Sequence, residues 1–234
     1  MEKYITDSKI INELYDMFGK LIDILNKNNI NFFADGGTLL GAVRHQSIIP
    51  WDDDIDISII ENEKTKYFLE NDIKSILNQI NMDIIKITGC YKIFNKNGKK
   101  IKKNKWKYYC REIKKKFKLN TRQEVFIEAS KTYNKNDIED YYEYTFPSID
   151  IFMMFEENDK IKYIPYGNSW DNFYYLKNDF YPLKVYNFGN LNVKGPNKPD
   201  NYLSMNYGDK YMIEAYIDYD HEKETKIKKI KIKL

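Results

Sequence analysis

The spacing of apolar and polar residues changes several times along the chain, and each change marks an element. From Asp7 to Asn28 the apolar residues Ile10, Ile11, Leu14, Phe18, Leu21, Ile22 and Leu25 lie on one helical face. Asp7 or Ser8 is placed to cap that helix, and Asn28-Asn29 ends it. Ile30 to Ala34 reads as a strand and Thr38 to Arg44 as a short helix. Asp54-Ile55-Asp56-Ile57-Ser58-Ile59 then alternates with the period of a strand. Its isoleucines face a core, and Asp54, Asp56 and Ser58 share the other face. Glu63 to Ile80 predicts a second amphipathic helix with Phe68, Leu69, Ile73, Ile76, Leu77 and Ile80 inward. Asp83 to Thr88 and Tyr91 to Phe94 predict a hairpin about Gly89. Strand pattern returns at Ser148 to Phe155, Ile161 to Ile164 and Lys184 to Phe188, with a helix expected over Asn168 to Lys177. Pro196 to Asp200 opens a last helix that ends at Tyr207-Gly208-Asp209, and the closing IKIKL alternates like an edge strand.

Strands and helices thus intermix in an α+β pattern. There is no internal repeat and no Pro/Gly-rich linker, so residues 1–234 are expected to form a single domain. A hydrophobic fraction of 42% suffices for a core, while 31% charged residues and a mean hydropathy of −0.69 predict a very polar surface. The net charge of +3 gives no global electrostatic case for nucleic acid. One stretch departs from this balance: eleven of the twenty positions from Lys99 to Lys118 are Lys or Arg, interleaved with Trp106, Tyr108, Tyr109 and Phe117. Lying between expected sheet elements, it reads as a basic inserted loop plus a helix, within a variable middle of about residues 99–144. Its charge can track a polyanion or a membrane surface, or simply be solvated. Cys90 and Cys110 have no metal or redox spacing and read as free thiols. MEKYITDSKI lacks a signal pattern, and no apolar run approaches the roughly 20 residues of a membrane span, so a cytoplasmic location is expected.

The candidate chemistry gathers between Phe32 and Ile60. Two carboxylates on one face of a strand repel each other unless something positive sits between them, and a divalent cation with oxygen ligands is the ordinary solution. Gly36-Gly37 is a turn that lets backbone approach a phosphate, and the first N–H groups of the Thr38 helix would face an anion there. Asp52, Asp54, Asp56 and Glu63 also fit four positions of a calcium-binding EF-hand loop. However, Ile57 stands where that loop needs glycine, and the isoleucine alternation favours a strand. In Ser148 to Phe155, Asp150 is the single acid of an apolar strand, costly to bury unless it meets a cation or a donor.

GGTLLGAVRH followed by IPWDDDIDI resembles the LicD family of phosphotransferases, which includes the fukutin-like proteins. The later D-I-F, the ribbon Lys184 to Val193 and the Y-G-D near the end are similar to the family as well. The resemblance implies a nucleotidyltransferase-like mixed sheet with packed helices. It also implies metal-dependent transfer of a phospho-alcohol, such as phosphocholine or ribitol phosphate, from a CDP-linked donor to a hydroxyl of a glycan or glycoconjugate. In that frame Asp54, Asp56 and Asp150 hold Mg²⁺ or Mn²⁺, with Asp53 supporting them. Gly36, Gly37 and Thr38 cradle a phosphate, and Arg44 and Lys92 face donor charge. Asp150 or His45 takes the acceptor's proton, and Trp51 is a packing anchor. An NTP-using nucleotidyltransferase and a non-catalytic binding module remain the alternative classes.

Overall fold

The structure is a computed structural model and describes residues 5–87, 89–132, 141–165, 169–220, 222–223 and 225–234. In chain order, helix α1 spans Ser8–Lys27, β1 Phe33–Ala34, α2 Gly36–Arg44 and β2 Ile55–Ile60. Then come α3 Glu63–Tyr67, α4 Ile73–Asn78, β3 Met82–Ile87, β4 Cys90–Asn104, α5 Trp106–Phe117, α6 Arg122–Thr132 and β5 Tyr141–Glu157. The chain closes with β6 Lys160–Tyr163, β7 Tyr174–Leu176, α7 Lys177–Phe180, β8 Lys184–Phe188, β9 Leu191–Gly195, α8 Asp200–Tyr207, β10 Glu214–Asp220 and β11 Thr225–Lys233.

The main sheet has the order β1-β2-β5-β4-β3, with β6 pairing β5 and β7 pairing β6. It is mixed: β2 runs parallel to β5, and the other pairings are antiparallel. The fold is therefore α+β with a mixed sheet. The expected helix from Asp7 is α1, capped by the Asp7 carboxylate accepting from the Lys9 N–H, and Leu14, Phe18, Leu21 and Leu25 on it are fully buried. It packs against β5, the long strand that pairs with β2, β4 and β6. Ile55, Ile57 and Ile59 of β2 are likewise fully buried, as their alternation requires.

Several expectations give way to tertiary pairing. The helix from Glu63 to Ile80 is interrupted by a wider π turn over Phe68–Asp72. Ile73 and Leu77 point inward as expected, but α4 ends at Asn78, so Ile80, expected in the core, lies past the helix in a turn and is 37% exposed. The strand after Gly89 does not stop at Phe94. It passes an irregularity between Phe94 and Lys99 and continues to Asn104 against Tyr141–Phe146 of β5. The first part of the expected basic loop is thus sheet. The Lys100 ammonium lies 3.0 Å and that of Lys102 3.6 Å from the Glu143 carboxylate, an acid that neutralises lysines across the ladder. The helix expected over Asn168–Lys177 is instead a 3-10 turn at Ser169–Asn172, strand β7 and then α7, because the edge of β6 takes Tyr174 to Leu176 as a partner strand. Asn168, Thr88 and the acidic stretch 133–140 lie outside the described residues. The closing alternation pairs with β10 in a separate two-stranded ribbon and adds no strand to the main sheet. Among the described residues no helix is long and apolar enough to cross a membrane.

Candidate active site

The parallel register of β2 and β5 sets Asp56 directly beside Asp150, and the antiparallel register of β4 sets Lys92 on the other side of Asp150. Three charged side chains therefore stand in a row across three adjacent strands. Asp54, one residue before β2, joins them: one carboxylate oxygen from each of Asp54, Asp56 and Asp150 lies within 4.8 Å of the other two. Asp52, Asp53 and Asp54 form a second such group that shares Asp54. Asp54 and Asp150 are buried. Desolvation, and then the charges of Asp54, Asp150, Asp52 and Asp35, push the Asp56 carboxyl well above the usual carboxylate range. A convergent set of hard oxygen donors with excess negative charge suits Mg²⁺ or Mn²⁺.

The glycine pair meets this acidic face. Gly36 has φ +47, in the left-handed region, and a Cβ there would come within 2.7 Å of an Asp56 carboxylate oxygen. A Cβ on Gly37 would come equally close to an Asp52 oxygen. Side chains at these positions would occupy the space into which the carboxylates converge. The Gly37 N–H donates to Asp56 Oδ2 at 3.2 Å, and the Gly36 N–H donates to Asp35 Oδ1 at 2.8 Å. Thr38 is buried, and its Oγ1 accepts from the Asp56 N–H at 2.7 Å. The three groups expected to cradle a phosphate are thus engaged with protein carboxylates and backbone: Gly37 and Thr38 hold Asp56, and Gly36 holds Asp35.

Lys92 differs from its expected role in a similar way. Its ammonium donates to both oxygens of Asp150, at 2.6 and 2.8 Å, and to Ser148 Oγ at 3.3 Å, with the Tyr144 ring 5.2 Å away. Desolvation opposes the ammonium's charge, but the Asp150 carboxylate, helped by Cys90 and Tyr144, holds its pKa well above the ordinary value. Arg44 and His45 stand at the far end of α2. Arg44 donates to the carbonyls of Tyr211 at 2.6 Å and Glu214 at 3.4 Å, and to His45 Nε2 at 3.0 Å, with Asp52 as its acidic neighbour. The His45 ring meets Trp51 edge-on at 5.7 Å, and desolvation followed by the Arg44 charge lowers its pKa. Trp51 therefore packs against His45, and Arg44 fastens α2 to the chain before β10.

One buried acid at the site is not marked by any sequence motif. Asp35, wholly buried, caps α2 and receives hydroxyls from three distant tyrosines: Tyr163 at 2.7 Å, Tyr175 at 2.5 Å and Tyr202 at 2.7 Å, with Ser58 as a further donor. The local signal was an acid wedged between the apolar Phe32-Phe33-Ala34 and the glycine pair. Nothing in the neighbouring sequence named its tyrosine partners.

A mixed sheet with carboxylates from neighbouring strands, set against a glycine-opened helix, has the layout expected of a nucleotidyltransferase-type site. Consistent with this, residues 29–139 match the family model described as LicD/FKTN/FKRP, nucleotidyltransferase domain. The chain is 32% identical over 215 residues to an uncharacterised protein of Rickettsia typhi, covering 91% of this chain and 52% of that one. Over 44 residues it is 41% identical to the lipopolysaccharide cholinephosphotransferase LicD of Haemophilus influenzae, 19% of this chain and 17% of that protein. Over 39 residues it is 44% identical to the ribitol 5-phosphate transferase FKRP of Mus musculus, 17% of this chain and 8% of that protein. The chain spans about half the length of the Rickettsia relative.

Proposed function

We propose that this chain transfers a phosphorylated alcohol, of the phosphocholine or ribitol phosphate kind, from a nucleotide-diphosphate donor to a hydroxyl of a glycan or glycoconjugate. The observation that carries the reading is the convergence of Asp54, Asp56 and Asp150 from two neighbouring strands beside the glycine turn. The names of the Haemophilus and mouse relatives point to the same class of transferred group, and the donor in this reading is CDP-linked. Asp54, Asp56 and Asp150 would hold Mg²⁺ or Mn²⁺, which supplies charge neutralisation for a pyrophosphate and its leaving nucleoside monophosphate. Lys92 holds Asp150 in line, and the Gly37 N–H with Thr38 holds Asp56. The hydroxyl's proton goes to Asp150 in this reading; His45, the other candidate base, stands at the far end of α2 with its Nε2 accepting from Arg44.

The test combines purified chain, Mn²⁺, CDP-choline or CDP-ribitol and a glycan acceptor. Asp54→Asn and Asp56→Asn should each abolish CMP release while circular dichroism shows an intact fold. CMP release that survives chelation of all metal would overturn the metal role. Release of pyrophosphate from an NTP, with no CMP from CDP-alcohols, would move the chain to the nucleotidyltransferase class.

A further inference from the structure

Asp56 is gripped at three points by three of the four residues that open α2, Asp35, Gly37 and Thr38. The Asp35 N–H donates to the Asp56 carbonyl at 3.2 Å, the Asp56 N–H to Thr38 Oγ1 at 2.7 Å, and the Gly37 N–H to Asp56 Oδ2 at 3.2 Å. The place of the Asp56 carboxylate is therefore set by the start of α2 as much as by β2. That helix start is fixed in turn by the side chain of Asp35. Its Oδ1 receives the Gly36 N–H and the hydroxyls of Tyr175 and Tyr202, and its Oδ2 those of Ser58 and Tyr163. The hydroxyl oxygens of Tyr163 and Tyr202 also lie 2.7 Å apart, and the rings of Tyr175 and Tyr202 stack at 4.0 Å. The three hydroxyls come from β6, β7 and α8, all C-terminal to the family-matched stretch 29–139.

We propose that Asp35 is the positioning residue of the site: through its tyrosine cage the C-terminal half of the chain sets the geometry in which Asp56 meets Asp54 and Asp150. Asp35 is not a ligand itself, because both its oxygens are turned into the cage and it is fully buried. A carboxylate is required because an ionised acid only accepts, and here two oxygens meet five donors. Asparagine would turn an NH₂ towards them. The amide cannot face the Gly36 N–H, so it must take the side of Ser58 and Tyr163, whose hydroxyls would have to reverse. That reversal removes the bonds by which Ser58 of β2 and Tyr163 of β6 hold the residue that caps α2. Supporting groups behind metal ligands tune affinity by orienting those ligands, and their loss costs about 10–100-fold.

This inference rests on the metal reading proposed above, and its test separates the two. Mn²⁺ binding is measured by calorimetry or electron paramagnetic resonance on the full chain, at a temperature where each variant is folded. Asp35→Asn should weaken Mn²⁺ binding about 10–100-fold. Leu21→Ala, a cavity in α1 remote from the cage, is the control for destabilisation alone and should leave the affinity within about twofold. Tyr175→Phe and Tyr202→Phe each remove one donor and should give smaller, graded losses, which carry the test even if Asp35→Asn does not fold. Wild-type affinity in Asp35→Asn and in both Phe variants, or an equal loss in Leu21→Ala, overturns the inference alone. Absence of Mn²⁺ binding by the wild-type chain overturns the metal reading and this inference together.

Discussion

Replacing Lys92 with methionine tests the electrostatic core of the site without touching a proposed ligand. The Lys92 and Asp150 side chains are 8% and 12% exposed and bonded at 2.6 Å, so water screens the pair little. Methionine fills most of the stem's volume and strands the Asp150 carboxylate beside Asp54 and Asp56. Breaking a buried pair from one side costs about 3–5 kcal/mol. For a chain of this size each kcal/mol lowers Tm by about 2–4 °C, so a drop of about 6–20 °C is expected in metal-free buffer. Asp150→Asn alone strands the ammonium and should cost a similar amount. The double variant Lys92→Met/Asp150→Asn removes both charges and should be more stable than the sum of the single losses by about 2 kcal/mol or more, since neighbours in one network do not add. Urea unfolding of the four proteins closes this cycle. Mn²⁺ should also raise the Tm of Lys92→Met more than that of the wild type, because the ion replaces the missing positive charge. Losses that add within about 0.5 kcal/mol, or a single variant that costs less than about 1 kcal/mol, would refute the idea that this pair organises the acidic cluster.

Three more outcomes come from the same geometry. Gly36→Ala places a Cβ 2.7 Å from the Asp56 carboxylate at a positive φ; it should cost about 1–2 kcal/mol in urea unfolding and reduce turnover far more than that loss explains. Gly41→Ala drives a Cβ to 2.5 Å from the Ser47 carbonyl oxygen, an unyielding backbone contact, and should destabilise by about 1–3 kcal/mol in the same assay. The hydroxyls of Tyr163, Tyr175 and Tyr202 are held well above the ordinary tyrosine value, by desolvation first and the Asp35 charge next. The native state therefore keeps protons that the unfolded chain releases above about pH 10, so the stability from the cage is complete below that pH and is lost as pH rises towards the raised values. Tyrosinate absorbance from these residues should appear only with unfolding; early, reversible ionisation in the folded chain would count against the cage.

How much was legible in advance depended on how local the cause was. The GGTLLGAVRH and IPWDDDIDI strings lie close together in the chain, and the strand period alone put Asp54 and Asp56 on one face. Asp150 could be singled out as an acid in an apolar strand, but only the parallel register of β2 against β5 set it beside Asp56. Lys92 was expected from the family resemblance to face donor charge; a strand sequence does not say what lies across the ladder, and Asp150 lies there. The π turn at Phe68–Asp72 and the capture of Tyr174–Leu176 as a strand had the same origin, since packing and an open sheet edge overrode an apparent helical period.

The elements from α1 to the start of β4, the buried isoleucine face of β2 and the acidic and glycine residues of the site were determined by the sequence, because each arises from a repeat of two or about 3.6 residues or from a turn that needs no partner. What the tertiary structure decided was which charges meet. Strand register placed Lys92 on Asp150, and chain crossings brought three tyrosines from the C-terminal half onto Asp35. Hydrogen bonds and ion pairs act over about 3 Å, while the residues that make them here stand far apart along the chain.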